Sequence, residues 1–103
     1  MNDPVSVLLI TEDVTSGSSG FTFGIYVHSV VLNGQAANQV TLALYDAASV
    51  TGNPKIRTKT GVTGDTEFAE SIQLNFNPPV PFNQLTADIG GTNAEAFVYY
   101  TRK

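Results

Sequence analysis

Most of this sequence consists of short runs in which apolar and polar residues alternate, separated by turn-forming residues. No window of helical length keeps apolar residues at the i, i+3, i+4, i+7 spacing, and Gly or Pro recurs too often for helices. The runs are rich in β-branched and aromatic residues, which favours strands. They predict seven strands: Val5–Thr11, Phe21–Leu32, Gln39–Asp46, Lys55–Thr60, Glu67–Phe76, Phe82–Ile89 and Ala94–Thr101.

Strands that recur at intervals of roughly ten to fifteen residues, with turns between them, are typical of a sandwich or barrel. The pattern predicts an all-β fold, a single antiparallel β-sandwich or a jelly-roll-like barrel of about seven strands. The 103 residues fit one domain, so residues 1–103 are expected to form a single β-sandwich domain. Two arrangements of residues 1–20 are open, because a flexible Ser/Gly loop, Thr15–Gly20, is expected after the first strand. Val5–Thr11 is either a strand of its own sheet or an N-terminal arm that pairs with a neighbour.

Two of the predicted strands carry apolar residues on both faces. In Phe21–Leu32, which we expect to bend at Gly24, simple alternation gives one face with Phe21, Phe23, Ile25, Val27 and Val31. The other face then has Tyr26, Val30 and Leu32 beside Thr22 and His28. In Ala94–Thr101, Val98 and Tyr100 share a face with two alanines, and Phe97 and Tyr99 lie opposite. A second apolar face needs a cover, which is a loop, the N-terminal strand or another subunit.

Lys55–Thr60 and Glu67–Phe76 are predicted to form a hairpin around Gly61–Gly64. Its outer face is expected to carry a basic stripe, Lys55, Arg57 and Lys59, and its inner face Ile56, Phe68, Ile72 and Leu74. The stripe is either a solvated face that discourages edge pairing or a contact for an acidic partner. Glu70 falls on the inner face, where a carboxylate needs a bulge or an ion-pair partner.

Composition excludes several classes of function. There is no cysteine and one histidine, so disulfides, cysteine nucleophiles and ordinary structural zinc sites are not expected. The net charge of −4 argues against nucleic-acid binding, which needs clustered Lys and Arg. The apolar stretch Val5–Ile10 is too short for a membrane span, and an acidic N-terminus predicts synthesis in the cytoplasm without a signal peptide. Only 14% of residues are charged, which fits either a surface used partly for contacts or an ordinary Thr/Asn-rich β exterior.

The pattern predicts no catalysis, metal site or cofactor. His28, the sole histidine, lies mid-strand between Val27 and Ser29 and is more typical of a structural or interface residue than of a general base. Asp65 and Glu67 flank a predicted turn, where carboxylates are ordinary. Sugar binding through the four tyrosines stays open, because their exposure cannot be read from the sequence.

The chain from His28 onward resembles small structural proteins of tailed bacteriophages. The residues that carry the resemblance are Val30–Gly34, Val40–Asp46, the Thr51-Gly52 loop, Phe82, Leu85–Thr92 and Ala96–Tyr100. The resemblance implies a non-enzymatic virion protein, a capsid decoration (cement) protein that stabilises a phage head through protein–protein contacts. It also implies a homo-oligomer, a trimer, bound to the major capsid protein on the capsid surface. The alternative is a receptor- or glycan-binding module of a phage tail or head fibre.

A subunit interface is expected where apolar residues occupy a second strand face. The candidate interface residues are Val5, Val7, Leu9, Tyr26, His28, Val30, Phe97 and Tyr99.

Overall fold

A computed structural model describes residues 5–12, 23–34, 39–60, 71–91 and 94–103. These residues contain seven strands and no helix: β1 Ser6–Ile10, β2 Ile25–Asn33, β3 Thr41–Tyr45, β4 Ile56–Lys59, β5 Ser71–Phe82, β6 Thr86–Gly90 and β7 Glu95–Arg102. The Ser/Gly loop Thr15–Gly20, the turn Gly61–Gly64 and the misfit Glu70 lie outside the described residues.

The strands form two antiparallel sheets, which confirms the predicted all-β sandwich. Sheet A has the order β1-β7-β2-β5, and sheet B has the order β4-β3-β6. Of the two alternatives for Val5–Thr11, the structure has the strand within its own sheet: Ser6–Ile10 pair with β7 of the same chain, from Ser6 opposite Tyr100 to Ile10 opposite Ala96.

The core lies between the sheets. The prediction that Val40, Leu42 and Leu44 share the inner face is confirmed, since all three are fully buried. They meet the buried side chains of sheet A, Ile25, Val27, Val30, Leu32, Ala96 and Val98, and the cluster is completed by Ile10, Ile56, Phe82, Leu85, Ala87 and Ala94. In the described residues, every buried side-chain nitrogen and oxygen has a hydrogen-bond partner.

Two predictions about connectivity are wrong. The predicted hairpin of β4 and β5 does not form, because β4 pairs with β3 in sheet B and β5 pairs with β2 in sheet A. The predicted strand Phe82–Ile89 is divided between the sheets, with Phe82 at the end of β5 and Thr86–Gly90 as β6. In both cases adjacent strands in sequence belong to opposite layers, as a sandwich allows when the chain crosses between sheets.

The alternation in β2 is interrupted by a bulge at His28, not at Gly24 as predicted. Val27 lies opposite Tyr100 and Ser29 lies opposite Tyr99, so His28 is one extra residue against β7. The extra residue reverses the alternation, and Val30 and Leu32 therefore join Ile25 and Val27 in the core. The sequence prediction that placed Val30 on the exposed face is wrong: its exposed fraction is 0%.

Candidate functional site

The outer face of sheet A carries an apolar patch at its β1 edge. Val5, Val7 and Leu9 expose 55%, 53% and 51% of their surface. Leu9 lies opposite Phe97 and Val7 lies opposite Tyr99, so two half-buried aromatic rings on β7 adjoin the exposed aliphatic side chains. We name these five residues, Val5, Val7, Leu9, Phe97 and Tyr99, the β1 patch.

The same face becomes polar toward β5. The row that begins with Leu9 and Phe97 continues through Val31 to Gln73, and the row of Val7 and Tyr99 continues through Ser29 to Asn75. Gln73 Nε2 donates to Asn75 Oδ1 at 3.1 Å. Large apolar patches with a polar rim are a feature of protein contact sites.

One end of the face is closed by a polar triad. Asn33 Nδ2 donates to Glu95 Oε1 at 3.1 Å, and Ser71 Oγ donates to Asn33 Oδ1 at 2.6 Å. These three residues lie side by side on β7, β2 and β5, because Asn33 pairs with both Glu95 and Ser71. This end of the outer face is therefore polar.

The edge strands of the two sheets differ in how they discourage pairing with another chain. Edge strands usually carry charges, prolines or bulges for this purpose. In the described part of the chain, β4 has outward Arg57 and Lys59, and β6 has Asp88. β5 contains three prolines and a bulge. Four of its residues lie between Asn75 and Val80, whereas a single residue lies between their partners on β2, Ser29 and Val27. β1, with the sequence SVLLI, has none of these features.

His28 occupies the bulge and supports the outer face. Its Nε2 lies 2.9 Å from Thr101 Oγ1, and Thr101 belongs to the row that contains Tyr26. Tyr26 exposes 40% of its surface, and the Lys103 ammonium lies 5.6 Å from its ring centroid. His28 is thus part of a hydrogen bond between β2 and β7, as a structural residue would be.

The structure brings seven of the eight predicted interface residues to one face. Val5, Val7, Leu9, Tyr26, His28, Phe97 and Tyr99 lie at the outer side of sheet A or at its edge. Val30 does not, because the bulge turns it into the core.

Asp46, which the sequence prediction did not assign a role, joins the two sheets. It follows β3, and its Oδ1 accepts the backbone N–H groups of Asn83 at 3.0 Å and Gln84 at 3.2 Å, just after β5. Its Oδ2 lies 3.2 Å from Lys55 Nζ, and Lys55 also donates to the Pro81 carbonyl. Burial alone would raise the pKa of Asp46, but the Asn83 N–H, the Lys55 ammonium and the Gln84 N–H together lower it below its ordinary value.

A second feature that the sequence did not reveal is a groove of about 440 Å³ on the outer face of sheet B. It runs along β3 between β4 and β6, and its lining includes Thr41, Ala43, Tyr45, Arg57, Lys59 and Asp88. The register places Ala43 between Arg57 and Asp88. No sequence spacing indicates this groove, since it depends on the alignment of three strands.

The described residues contain no group of three or more His, Asp or Glu side chains that could hold a metal ion. Within these residues no helix is long and apolar enough to cross a membrane.

Comparison of the sequence with protein-family models, with curated proteins and with solved structures gives no match. The resemblance to phage structural proteins therefore stays a prediction.

Proposed function

We propose that this protein is a non-enzymatic structural protein that assembles with copies of itself and decorates a phage capsid as a cement protein. The observation that carries the proposal is the β1 patch on an edge strand without charge, proline or bulge. Exposed apolar side chains beside open backbone N–H and C=O groups favour contact with another polypeptide.

We propose a second copy of this chain as the occupant of the β1 patch. The patch is uncharged, so two copies can approach there although each carries a net charge of −4. The charges near its ends are opposite in sign, with Glu12 and Glu95 at one end and Arg102 and Lys103 at the other. When two patches meet in antiparallel orientation, the acidic end of each faces the basic end of the other.

The assembled oligomer is proposed to contact the major capsid protein on the virion surface. A capsid offers many equivalent positions, and an oligomer that engages several of them gains avidity without a large contact for each copy. The remaining polar outer surface of sheet A, around Gln73 and Asn75, fits the polar rim that such interfaces have.

Two measurements test the proposal. Sedimentation velocity over a range of protein concentrations is expected to show an oligomer; the resemblance implies three copies, and the charge pattern favours pairs. Quantitative mass spectrometry of purified virions is expected to find the protein in a copy number comparable with that of the capsid lattice. A monomer at all concentrations, together with a few copies per virion, contradicts the proposal.

A further inference from the structure

We infer that the groove on the outer face of sheet B is a binding site for a saccharide that carries a carboxylate. The site lies on the sheet opposite the β1 patch, so it is independent of the self-association proposed above. The register of β4, β3 and β6 forms this site and brings Arg57 and Asp88 to its two sides.

The groove has the dimensions of a small-ligand site. Arg57 and Asp88 lie on either side of Ala43, two strand spacings apart, which is about 9.6 Å between their backbones. Along β3, the four-residue step from Thr41 to Tyr45 covers about 13 Å. The volume of about 440 Å³ lies within the range of ligand pockets, which is about 300–1,000 Å³.

The central residue of the floor is Ala43, which has a small side chain and exposes 9% of its surface. Gly90 pairs with Thr41 at one end. A Cβ atom on Gly90 would lie 2.9 Å from Thr41 Oγ1, so the missing side chain leaves room for that hydroxyl. A sugar ring can therefore lie against the sheet, with the half-buried Tyr45 ring at the other end.

The β4 wall is positively charged. Arg57 and Lys59 are exposed, and neither forms an ion pair with a carboxylate in the described residues, whereas the neighbouring Lys55 is paired with Asp46. Two such cations on a protein of net charge −4 favour an anionic ligand at this place. The guanidinium of Arg57 suits a carboxylate, because its planar fork donates two parallel hydrogen bonds.

The β6 wall distinguishes an acidic sugar from other anions. Asp88 is a hydrogen-bond acceptor that repels a second carboxylate but accepts hydroxyl donors. An acidic peptide presents carboxylates along its length and meets repulsion at Asp88. A ligand with one carboxylate for Arg57 and hydroxyl groups for Asp88 and Thr41 matches the charges of both walls.

The test is a ¹⁵N-HSQC titration of the intact protein with three acidic sugars: glucuronate, galacturonate and N-acetylneuraminate. Matched probes separate the parts of the ligand: glucose has the hydroxyls without the carboxylate, acetate has the carboxylate without the hydroxyls, and a polyglutamate peptide presents carboxylates alone. We expect at least one acidic sugar to shift the amides of Thr41, Ala43 and Arg57, at least about 10-fold more tightly than any matched probe. Equal binding of acetate or polyglutamate overturns the proposal, as does the absence of groove shifts with all three sugars at tens of millimolar.

Variants then assign the site. Arg57→Gln and Asp88→Asn are each expected to weaken the acidic sugar at least about 10-fold, while Arg102→Gln, which removes one positive charge from the other sheet, leaves binding unchanged. Ala43→Val fills the floor and is expected to abolish binding, with an otherwise native spectrum as the control for folding. An affinity for Arg57→Gln equal to that of the original chain refutes the assignment.

Discussion

Replacement of Val7 and Leu9 by threonine is the most direct test of the β1 patch. Both side chains project from an edge strand, with exposed fractions of 53% and 51%. Fully burying a Val or Leu side chain is worth about 1.5–3 kcal/mol, and half of that surface remains to be covered at each position. Covering each in an interface then contributes about 1 kcal/mol. Because two patches meet, each interface covers four such side chains, so the double variant is expected to lose about 4 kcal/mol, a rise of roughly 1,000-fold in the dissociation constant of the oligomer.

The fold is expected to tolerate this change. Threonine has a high strand propensity, and substitutions at such exposed positions usually alter the free energy of unfolding by less than about 0.5 kcal/mol. Sedimentation velocity measures the dissociation constant, and urea unfolding measures stability. Gln73→Thr is the matched control, because Gln73 lies in the same cross-strand row as Leu9 but on the polar side of the sheet.

An unchanged dissociation constant in the Val7→Thr, Leu9→Thr double variant would show that the β1 patch is not the interface. Weakening by the Gln73→Thr control as large as that of the double variant would also contradict this location of the interface, because contact would then extend over the polar half of the face.

Three further predictions concern the fold that presents these surfaces. Val30→Thr is expected to lower the free energy of unfolding by about 1–3 kcal/mol and Val31→Thr by less than about 0.5 kcal/mol, because the bulge buries Val30 and places Val31 on the outer face. Equal effects of the two variants in urea unfolding would contradict the bulge. The lowered pKa of Asp46 means that its stabilisation is complete above the ordinary value of 3.8 and is lost as pH falls through the folded value. The stability advantage over Asp46→Asn is therefore expected to shrink below about pH 4. An advantage that persists in acid would refute a stabilising role for the contacts of the Asp46 carboxylate with Asn83, Gln84 and Lys55, which we call the Asp46 clamp. Both Gly52 and Gly91 have positive φ, but Gly91→Ala is expected to lower the melting temperature more than Gly52→Ala. A Cβ at Gly91 would lie 2.6 Å from a methyl group of Val40, whereas one at Gly52 meets nothing within 4 Å. Equal losses in melting temperature by calorimetry would contradict this difference.

The strands that the sequence predicted best are those without interruption. Leu42 and Leu44 in β3, and Val40 just before it, point inward at every second position, and the same holds for Ala96 and Val98 in β7. A period of two is sufficient there because every residue has a partner on the neighbouring strand. Simple alternation fails in β2, because the extra residue His28 moves every later side chain of the strand to the opposite face of the sheet.

Connectivity was less predictable than the strands. Gly and Thr residues between β4 and β5 suit a hairpin, but the same residues suit a connection that crosses from one sheet to the other. The choice depends on long-range packing, since Ile56 joins the core from sheet B while Leu74 packs against it from sheet A. The groove and the Asp46 clamp were unpredictable for the same reason, because their members come from different strands.

The bulge at His28 also changes where excess apolar surface lies. Simple alternation gives β2 two apolar faces, yet the structure buries Val30 and Leu32 beside Ile25 and Val27, so this strand needs little cover from outside. On sheet A, the three most exposed aliphatic side chains lie instead on or beside β1, next to the β7 rings, and β2 adds Tyr26. A strand at the edge of a sheet offers backbone hydrogen bonds as well as apolar contact, which a central strand such as β2 cannot do. The polypeptide partner that we propose would therefore contact one strand, β1, which provides both backbone hydrogen bonds and apolar side chains.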